Sequence, residues 1–379
     1  MSNKQVQICI VSAEPMANIL PIRALQPDVV VLVVSARMKD AGQRLARFLA
    51  RHGIRSVEAF DAPDHGLAAI REFALDRIRE MTGAGVSADS LTLNATGGNK
   101  LMAMGFIEAA RETGVGRIIY ADTGHDRIEF LHPEHEPPMP MGQLASLEDL
   151  FESRGLRILR MDSADPDWQE RARARSELTR WLFSLSLQRP SPLGALRVNL
   201  NPRVNAIPRV RSFLVKRLSD EGLLKKKGSS ANHQLSVISD DAAFYLQGGW
   251  LEELIWLEAR GINDVLVGCG LRLQLEEDVG SDEELHELDL VIVHRNRLLL
   301  GECKVCRTRV ADADSDLDRL RALAASISGP FGKLVYIVPE MNRIEPTIRK
   351  RCADQPIIEL ATRPELSNLR GWLEDRLKA

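Results

Sequence analysis

The sequence predicts an α/β protein in which two α/β domains flank a connecting segment. Over residues 1–142, short apolar runs alternate with segments of helical periodicity, a pattern typical of alternating strands and helices. Within residues 241–379, two apolar runs separated by a polar turn predict a β-hairpin. The intervening residues 143–240 have a less regular pattern. A chain of 379 residues is long for one core and sufficient for two or three domains.

The N-terminal region predicts a parallel sheet with helices on both faces, because its apolar runs are nearly continuous and do not alternate with polar residues. The predicted strands occupy residues 6–11, 29–34, 91–95 and 117–121, and the helical segments between them occupy residues 41–52, 66–81 and 101–112. This alternation is typical of a Rossmann-like domain. The loop after the first strand lacks the G-x-G-x-x-G dinucleotide fingerprint, which argues against a dehydrogenase.

A glycine-rich turn follows the third of these strands, at residues 94–100. Gly97 and Gly98 let the backbone approach a ligand closely, and the start of the next helix offers unpaired N–H groups. Lys100 adds a positive charge. An isolated Gly-Gly turn is most often only a turn, but this one stands at the carboxyl end of a strand in a parallel sheet, where open α/β folds bind ligands. We therefore expect a phosphate-containing ligand here.

The predicted C-terminal hairpin carries two acidic residues and a lysine. Its strands span residues 288–293 and 298–305. Because side chains alternate along a strand, Glu302 and Lys304 share one face, and the hairpin returns Asp289 beside them. Two carboxylates suit a hard divalent cation, and a fixed lysine suits metal-assisted phosphodiester hydrolysis. The alternative is that these charges decorate solvated strand ends, but charges on apolar strands cost free energy unless they are used or paired.

The predicted metal ligands are Asp289, Glu302 and the backbone carbonyl of Cys303, with Mg²⁺ or Mn²⁺ as the cation. Upstream, residues 248–257 predict a helix that follows a Gly-Gly pair and carries Glu252 early. This order of helix, Asp strand and E-x-K strand resembles the PD-(D/E)xK fold of restriction endonucleases. The resemblance implies that Glu252 joins the catalytic site, with an ordinary exposed helix carboxylate as the alternative. The proline of the motif's name is absent, since a leucine precedes Asp289.

As a whole, the chain resembles the nucleases with a CRISPR-associated Rossmann fold (CARF) domain that accompany type III CRISPR systems. The resemblance rests on the T-G-G-x-K turn at residues 96–100, an S-x-x-P-x-x-N-type first loop at residues 12–18, and the E-x-K hairpin. It implies a homodimer that binds a cyclic oligoadenylate, most often cyclic tetra-adenylate, whose two-fold symmetry matches a symmetric dimer. The implied ligand contacts are Ser12, Ala13, Asn18, Thr96, Gly97, Gly98, Asn99 and Lys100, with Asp122 and Thr123 as weaker candidates.

The connecting segment contains a candidate winged helix. A proline-rich stretch at residues 132–141 indicates the exit from the first domain. An amphipathic segment at residues 210–218 precedes a glycine turn, a strand-like run and a lysine cluster within residues 219–228. Such a wing would contact nucleic-acid phosphates without reading bases. A solvated linker with a charge run is an equal alternative.

Composition narrows the functional class. The net charge of −3 argues against a generally basic nucleic-acid coat, so any polyanion site must be a local patch. No apolar run is long enough to span a membrane, and we expect a cytoplasmic protein. The five cysteines are an odd number in apolar segments and predict reduced thiols. Cys303-x-x-Cys306 lacks a second close pair, so a structural zinc site is not predicted.

The favoured hypothesis is a cyclic-oligoadenylate-activated, metal-dependent endonuclease that cuts DNA, RNA or both with little sequence preference in type III CRISPR defence. One alternative is a ligand-responsive transcription regulator, whose connector binds DNA and whose C-terminal domain is only structural. Another is a self-limiting ring nuclease that cleaves its own cyclic nucleotide in the first domain. The charged hairpin favours the endonuclease, and the first loop offers no obvious base for the ring nuclease beyond Glu14.

Overall fold

The computed structural model describes residues 4–188, 191, 193, 212–227, 234–276, 286–327, 332–354 and 358–378. Residues 210–211, at the start of the predicted amphipathic segment, and residue 228, at the end of the candidate wing, lie outside the described residues. No helix within the described part is both long enough and apolar enough to cross a membrane.

The N-terminal domain is built on a seven-stranded sheet of order β3-β2-β1-β4-β5-β6-β7. The strands are β1 (Val6–Ile10), β2 (Val29–Ser35), β3 (Ser56–Ala62), β4 (Leu91–Asn94), β5 (Arg117–Asp122), β6 (Arg127–His132) and β7 (Met139–Pro140). The strands from β3 to β5 are parallel, and β6 and β7 add antiparallel pairs at one edge. The Rossmann-like prediction is confirmed, because the apolar runs form a parallel sheet buried on both faces.

Four helices cover this sheet: α1 (Met16–Leu25), α2 (Lys39–Arg51), α3 (Leu67–Gly83) and α4 (Lys100–Glu112). Helix α4 begins at the predicted glycine-rich turn, and the side chain of Asn99 caps it by accepting a hydrogen bond from the Met102 amide. The first turn of α1 continues directly from the loop after β1. Both loops therefore meet at the carboxyl end of the parallel strands, where open α/β sheets bind ligands.

The connecting segment contributes elements to the rest of the molecule. Its described elements are α5 (Leu147–Glu152), β8 (Leu156–Met161), α6 (Pro166–Ala174), α7 (Ser176–Ser186), α8 (Ser212–Asp220), β9 (Leu224–Lys227) and β10 (Gln234–Val237). Strands β9 and β10 form an antiparallel pair directly after α8, which is the order of a helix followed by a wing. Strand β8 instead pairs with the C-terminal sheet. The domain boundaries at 142/143 and 240/241 stay a prediction.

The C-terminal domain contains a six-stranded mixed sheet of order β15-β14-β13-β12-β11-β8. Its elements are α9 (Asp240–Phe244), α10 (Trp250–Ala259), β11 (Val265–Leu275), β12 (His286–His294), β13 (Arg297–Cys303), α11 (Val310–Ile327), β14 (Gly332–Ile337), α12 (Glu345–Asp354), β15 (Ile358–Ala361), α13 (Arg363–Leu366) and α14 (Leu369–Lys378). The predicted hairpin is β12 and β13, which pair antiparallel at the centre of this sheet.

One apolar cluster is continuous from the first sheet to the second. It contains Leu32 and Phe48 of the N-terminal domain, Phe151 of α5, and Val291 and Leu300 of the C-terminal hairpin. Two further clusters cover the outer faces of the two sheets. Because interiors are close-packed and transmit small displacements, the shared cluster joins the N-terminal domain to the hairpin that carries the acidic residues.

Candidate functional site

Asp289 and Glu302 face each other across the β12–β13 hairpin. Leu290 pairs with Gly301 in the antiparallel register, so the next positions outward are Asp289 and Glu302. The chain is crowded at Gly301, because a Cβ at this position would lie 3.0 Å from Leu290 Cδ2. The structure therefore brings together the two carboxylates that the spacing of the sequence predicts.

The ammonium group of Lys304 lies between these carboxylates. Its Nζ is 2.7 Å from Asp289 Oδ2 and 2.7 Å from Glu302 Oε1. The amide of Cys303 also donates to Asp289 Oδ2, at 2.8 Å. Glu302 is buried, with 3% of its surface exposed. The arrangement concentrates two negative charges and one positive charge in a largely dry place, where electrostatic interactions are strong.

The burial of this cluster changes its ionisation. Burial, and next the charge of Asp289, raise the pKa of Glu302. Burial alone would lower the pKa of Lys304, but the carboxylates of Asp289 and Glu302 raise it above its ordinary value. Lys304 therefore stays an ammonium at neutral pH. A permanently charged lysine beside two carboxylates can stabilise negative charge that develops on a phosphodiester.

A second ion-pair network, which the sequence patterns do not predict, supports Glu302. Arg319 of α11 forms an ion pair with Glu302 and another, at 3.1 Å, with Asp316. Asp316 also accepts hydrogen bonds from Arg307 and from the hydroxyl of Tyr336. The i, i+3 spacing of Asp316 and Arg319 is a local signal, but only the folded sheet shows that it points to Glu302.

Glu252 approaches the hairpin from the first turn of α10. The chain turns sharply before this helix: Gly248 has φ of 149°, which only glycine adopts freely. The backbone carbonyl of Glu252 lies 3.6 Å from the Sγ of Cys269 on β11. Burial, and next the charge of Asp289, raise the pKa of Glu252 well above its ordinary value. The predicted fourth catalytic residue is thus within electrostatic reach of the hairpin carboxylates.

The donor set suits a hard cation. Among the described residues, no three His, Cys, Asp or Glu side chains are already gathered around one point. Asp289 Oδ2 and Glu302 Oε1 share one cationic neighbour, Lys304 Nζ, at 2.7 Å each, so these oxygens lie no farther apart than twice that distance. Divalent cations bind oxygens at roughly 2.0–2.6 Å. A small displacement of Lys304 would leave the two carboxylates facing a common cation position.

In the N-terminal domain, a cavity of about 260 Å³ lies at the carboxyl end of the parallel strands. Four predicted ligand contacts, Ser12, Ala13, Gly98 and Asn99, line it. Arg37, which sequence reasoning missed, also lines it, and its side chain is 84% exposed. Its position directly after β2 at the same sheet edge is the signal that could have identified it.

The glycine-rich turn is fixed by close contacts that exclude larger residues. A Cβ on Gly97 would lie 2.0 Å from the carbonyl oxygen of Ile10. Gly98 has φ of 74°, and a Cβ there would lie 2.5 Å from Ile10 Cγ2. The turn therefore packs directly on the end of β1. This contact brings the cap of α4 beside the loop after β1, and the backbone of the turn borders the cavity.

Two of the predicted ligand contacts support this turn from inside. Thr96 Oγ1 accepts from the Ala121 amide at 2.8 Å and lies 2.6 Å from Asn94 Oδ1. Asn18 is fully buried, and its Nδ2 donates to the Ile10 carbonyl at 3.0 Å. In this structure both residues join the ends of β1, β4 and β5. A direct contact of Asn18 with a ligand stays a prediction that requires it to leave these partners.

The remaining predicted contacts, Lys100, Asp122 and Thr123, do not line this cavity. Lys100 is exposed at the start of α4. Asp122 Oδ2 lies 2.7 Å from His125 Nδ1, within the turn after β5. The carbonyl of Thr123 lies 3.5 Å from Arg297, the first residue of β13. Their roles as ligand contacts stay predictions, and the contact of Thr123 joins the turn after β5 to the C-terminal domain.

A buried ion pair also ties the first loop to the connecting segment. Arg154 Nη2 lies 2.7 Å and 2.9 Å from the two carboxylate oxygens of Glu14. The two side chains are only 8% and 10% exposed. Glu14 Oε1 also accepts from the Met16 amide at 3.0 Å, so the pair fixes the start of α1. Two residues after Arg154, β8 begins.

Comparison with known proteins identifies both domains. Residues 6–149 match the family described as the Card1 CARF domain, and residues 239–379 match the family described as the Card1-like endonuclease domain. No curated protein sequence matches the chain significantly.

Solved structures share the fold over most or all of the chain. Can2 from Sulfobacillus thermosulfidooxidans, solved with cyclic tetra-adenylate, has a TM-score of 0.76 at 19% identity and covers 100% of this chain and 98% of its own. Protein VC1899 from Vibrio cholerae has a TM-score of 0.80 at 18% identity, over 99% and 98%. A type III CRISPR defence DNA nuclease activated by cyclic oligoadenylate has a TM-score of 0.54 at 18% identity, over 90% and 46%. The chain thus belongs to the CARF-linked endonucleases: it joins a Card1 CARF domain to a Card1-like endonuclease domain.

Proposed function

We propose that this endonuclease is activated by cyclic tetra-adenylate, depends on a divalent cation, and cuts DNA, RNA or both with little sequence preference in type III CRISPR defence. The observation that carries the proposal is the convergence of Asp289, Glu302 and Lys304 at one point, with the Lys304 ammonium 2.7 Å from both carboxylates. A structural domain would have no need for such a cluster in a sheet, because burying charges costs free energy.

The roles of the residues follow from their geometry. Asp289, Glu302 and the Cys303 carbonyl would hold Mg²⁺ or Mn²⁺, which would polarise the phosphodiester and lower the pKa of an attacking water. Lys304 would stabilise the charge that develops on the scissile phosphate. Glu252, in the first turn of α10, would complete the oxygen donors. Arg319 holds the Glu302 carboxylate in position through its ion pair.

The proposed activator site is the cavity between the first loop and the glycine-rich turn. Its helix start and backbone amides would donate to a phosphodiester, and Arg37, which is paired with Asp64 of the same cavity at 3.4 Å, would turn to the ligand's negative charge. Can2, which has the same fold, was solved in complex with cyclic tetra-adenylate. The first-loop and turn residues predicted as contacts are consistent with that placement, since four of them line the cavity.

We further propose that the active form is a homodimer. The cavity volume of about 260 Å³ lies below the usual volume of pockets for drug-sized ligands, roughly 300–1,000 Å³. A ring of four nucleotides is larger than a drug-sized ligand. One protomer can therefore hold only part of the ring, and a second copy related by a two-fold axis would hold the rest. Leu101 and Met104 provide an apolar face for this contact, because both are exposed on α4 beside the turn.

The connector gives one observation in favour of a nucleic-acid contact. Helix α8 is followed by the β9–β10 pair, and β9 consists of Leu224 and three lysines. Lysines on such a wing would contact phosphates without reading sequence. This arrangement would also serve the alternative function of a ligand-responsive transcription regulator, which therefore needs to be tested beside the endonuclease.

The deciding experiment measures cleavage and binding together. Purified protein is incubated with labelled single-stranded RNA, single-stranded DNA and supercoiled plasmid, each with and without cyclic tetra-adenylate and with Mg²⁺, Mn²⁺ or EDTA. We expect cleavage that requires metal and rises from a low basal rate when activator is added. Sequence-specific duplex binding without cleavage would favour the regulator, and loss of intact cyclic tetra-adenylate during the reaction would reveal ring-nuclease activity.

A further inference from the structure

The connecting segment places an acidic residue beside the nuclease hairpin. Strand β8 pairs antiparallel with β11, with Met161 opposite Leu271. Asp162 follows directly and opens a short 3-10 turn, residues 162–164. The next residue, Ser163, accepts a hydrogen bond from the Cys269 amide at 2.9 Å through its Oγ. This bond fixes the turn against β11. Strand β11 is the neighbour of β12, which carries Asp289.

Gly270 marks where the carboxylate of Asp162 lies. A Cβ on Gly270 would be 2.5 Å from Asp162 Oδ2, so the carboxylate occupies the space that a side chain at this position would fill. The flanking residues Cys269 and Leu271 pair with Leu290 and Leu288 of β12, so Gly270 lies opposite Asp289. The φ of Gly270 is 62°, and a glycine here therefore serves both the backbone and the close approach of Asp162.

Three carboxylates consequently line up across three adjacent strands. Glu302 comes from β13, Asp289 from β12, and Asp162 stands over β11. Neighbouring strands lie about 4.8 Å apart, so Asp162 extends the acidic row on the side of Asp289 that is remote from Glu302.

We propose that Asp162, supplied by the connecting segment, is a further residue of the nuclease site and that its carboxylate faces the hydrated divalent cation from the β11 side. This inference rests on the metal-dependent function proposed above. It gives the cation oxygen groups from four elements, of which only three lie within the C-terminal domain. Outer carboxylates of this kind typically change metal affinity by about 10- to 100-fold when they are mutated.

The competing explanation is structural. Asp162 Oδ1 accepts from Arg160 Nε at 2.6 Å, so the carboxylate could serve only to hold Arg160. The Arg160 side chain is 64% exposed, and exposed ion pairs contribute little to stability. Removing Arg160 therefore distinguishes the two roles, since it breaks the ion pair and leaves the carboxylate beside Asp289 in place.

The test measures two values. One is the dissociation constant of Mn²⁺ from calorimetric titration of the full-length protein, and the other is the Mn²⁺ concentration that gives half-maximal cleavage. We expect Asp162→Asn, which keeps the shape of the side chain, to raise both values by about 10-fold or more. Arg160→Gln should leave both unchanged or lower them. Asp165→Asn is the matched control, because Asp165 is exposed and caps α6, and asparagine caps helices as well as aspartate does.

The outcomes separate this inference from the proposed function. Unchanged Mn²⁺ affinity in Asp162→Asn, or an equal loss in Arg160→Gln, would overturn the role of Asp162 and leave the metal-dependent nuclease intact. A wild-type protein that cleaves without any divalent cation would overturn the proposed function itself. Thermal unfolding of each variant checks the fold, and Asp162→Ser provides a second substitution if the asparagine variant unfolds early.

Discussion

Lys304 relieves the repulsion between Asp289 and Glu302, two carboxylates that the hairpin forces together. Its ammonium contacts both, and Arg319 adds a second positive neighbour to Glu302. A bound divalent cation would take over part of this neutralisation. Lys304 would then be released toward the phosphodiester without leaving the carboxylates unpaired. The same residue would thus stabilise the metal-free site and serve the proposed reaction.

At the residue scale, we expect Asp289→Ala or Glu302→Ala to abolish nucleolysis, because each removes one of the two facing carboxylates. Lys304→Ala should lower the rate by about 10²- to 10³-fold, the effect of losing one transition-state contact. Cleavage of plasmid and single-stranded substrates under saturating activator and Mn²⁺ measures this. Glu258→Gln on α10 is the control, since Glu258 pairs with Arg180 away from the hairpin.

Binding of cyclic tetra-adenylate to these variants should match the wild type, because the substitutions lie in the C-terminal domain. Calorimetry with the intact activator checks this point. Full cleavage activity in Glu302→Ala would refute the active-site assignment, whatever the activator affinity.

At the element scale, the turn of the nuclease hairpin is docked on the boundary between the first domain and the connector. Asn296 Oδ1 accepts from the amides of Leu144 and Ala145, at 2.8 and 2.9 Å, and its Nδ2 donates to the Gly142 carbonyl. Its neighbour Arg297 donates to the Gly124 carbonyl in the turn after β5. One two-stranded element therefore carries Asp289 and Glu302 near one end and contacts the sensor domain at the other.

Asn296→Ala should destabilise the protein by about 2–4 kcal/mol, since it leaves several buried backbone groups without partners. The residue is 4% exposed and has φ of 65°, so alanine is strained there as well. Asn296→Gly loses the same hydrogen bonds but adopts this positive φ without strain, so it should lose less. Urea unfolding of the three proteins measures the difference, and equal stability of wild type and Asn296→Ala would contradict the docking role.

At the scale of the whole molecule, the proposed dimer depends on α4. Leu101 and Met104 are 42% and 51% exposed, and their spacing places them on one face of the helix. We expect wild type to have about twice the 42.2 kDa chain mass in light scattering, and Met104→Glu to be monomeric because it charges this face. Val57→Glu, at an equally exposed apolar position on β3, should stay dimeric. A wild-type monomer in the presence of cyclic tetra-adenylate would rule out the symmetric sensor.

A second whole-molecule prediction concerns the activator. If the turn at residues 96–100 contacts phosphates, Lys100→Glu should weaken binding of cyclic tetra-adenylate by about 10- to 100-fold, because it replaces attraction with repulsion. The nuclease site is untouched, so cleavage should remain at its basal rate until much more activator is added. Titration of the cleavage rate for wild type and Lys100→Glu measures this. Superimposable curves would remove the turn from the sensor.

A third whole-molecule prediction concerns the coupling of activator binding to cleavage through the Glu14–Arg154 ion pair. This pair links the first loop to the chain just before β8. Arg154→Met alone would leave Glu14 buried and unpaired, at a cost of about 3–5 kcal/mol. The double variant Glu14→Gln with Arg154→Met avoids this cost. We expect the double variant to bind the activator but to show a much smaller ratio of activated to basal cleavage. Arg51→Gln is the control, because it breaks the exposed pair with Glu276 that also bridges the domains.

The predicted architecture and family were confirmed because both depend on local patterns. Short apolar runs indicate strands, and the T-G-G-x-K and E-x-K motifs each occupy only a few residues. All of these patterns can be recognised locally. The patterns missed α1, which contains Pro21, and β3, whose side chains are mostly exposed at the sheet edge. Neither element has the periodicity of a buried helix or strand, and tertiary contacts stabilise both.

The sequence by itself determined the two α/β domains, the facing carboxylates and the glycine-rich turn, since residues in one hairpin or one turn are close together in any fold that forms it. Only the tertiary structure decided that β8 completes the nuclease sheet, that Asp162 stands over Gly270, and that Asn18 is buried beneath the glycine-rich turn. Asp162 and Gly270 are separated by more than a hundred residues, and no local periodicity records such a pairing. Their contact follows from the packing of the complete sheet.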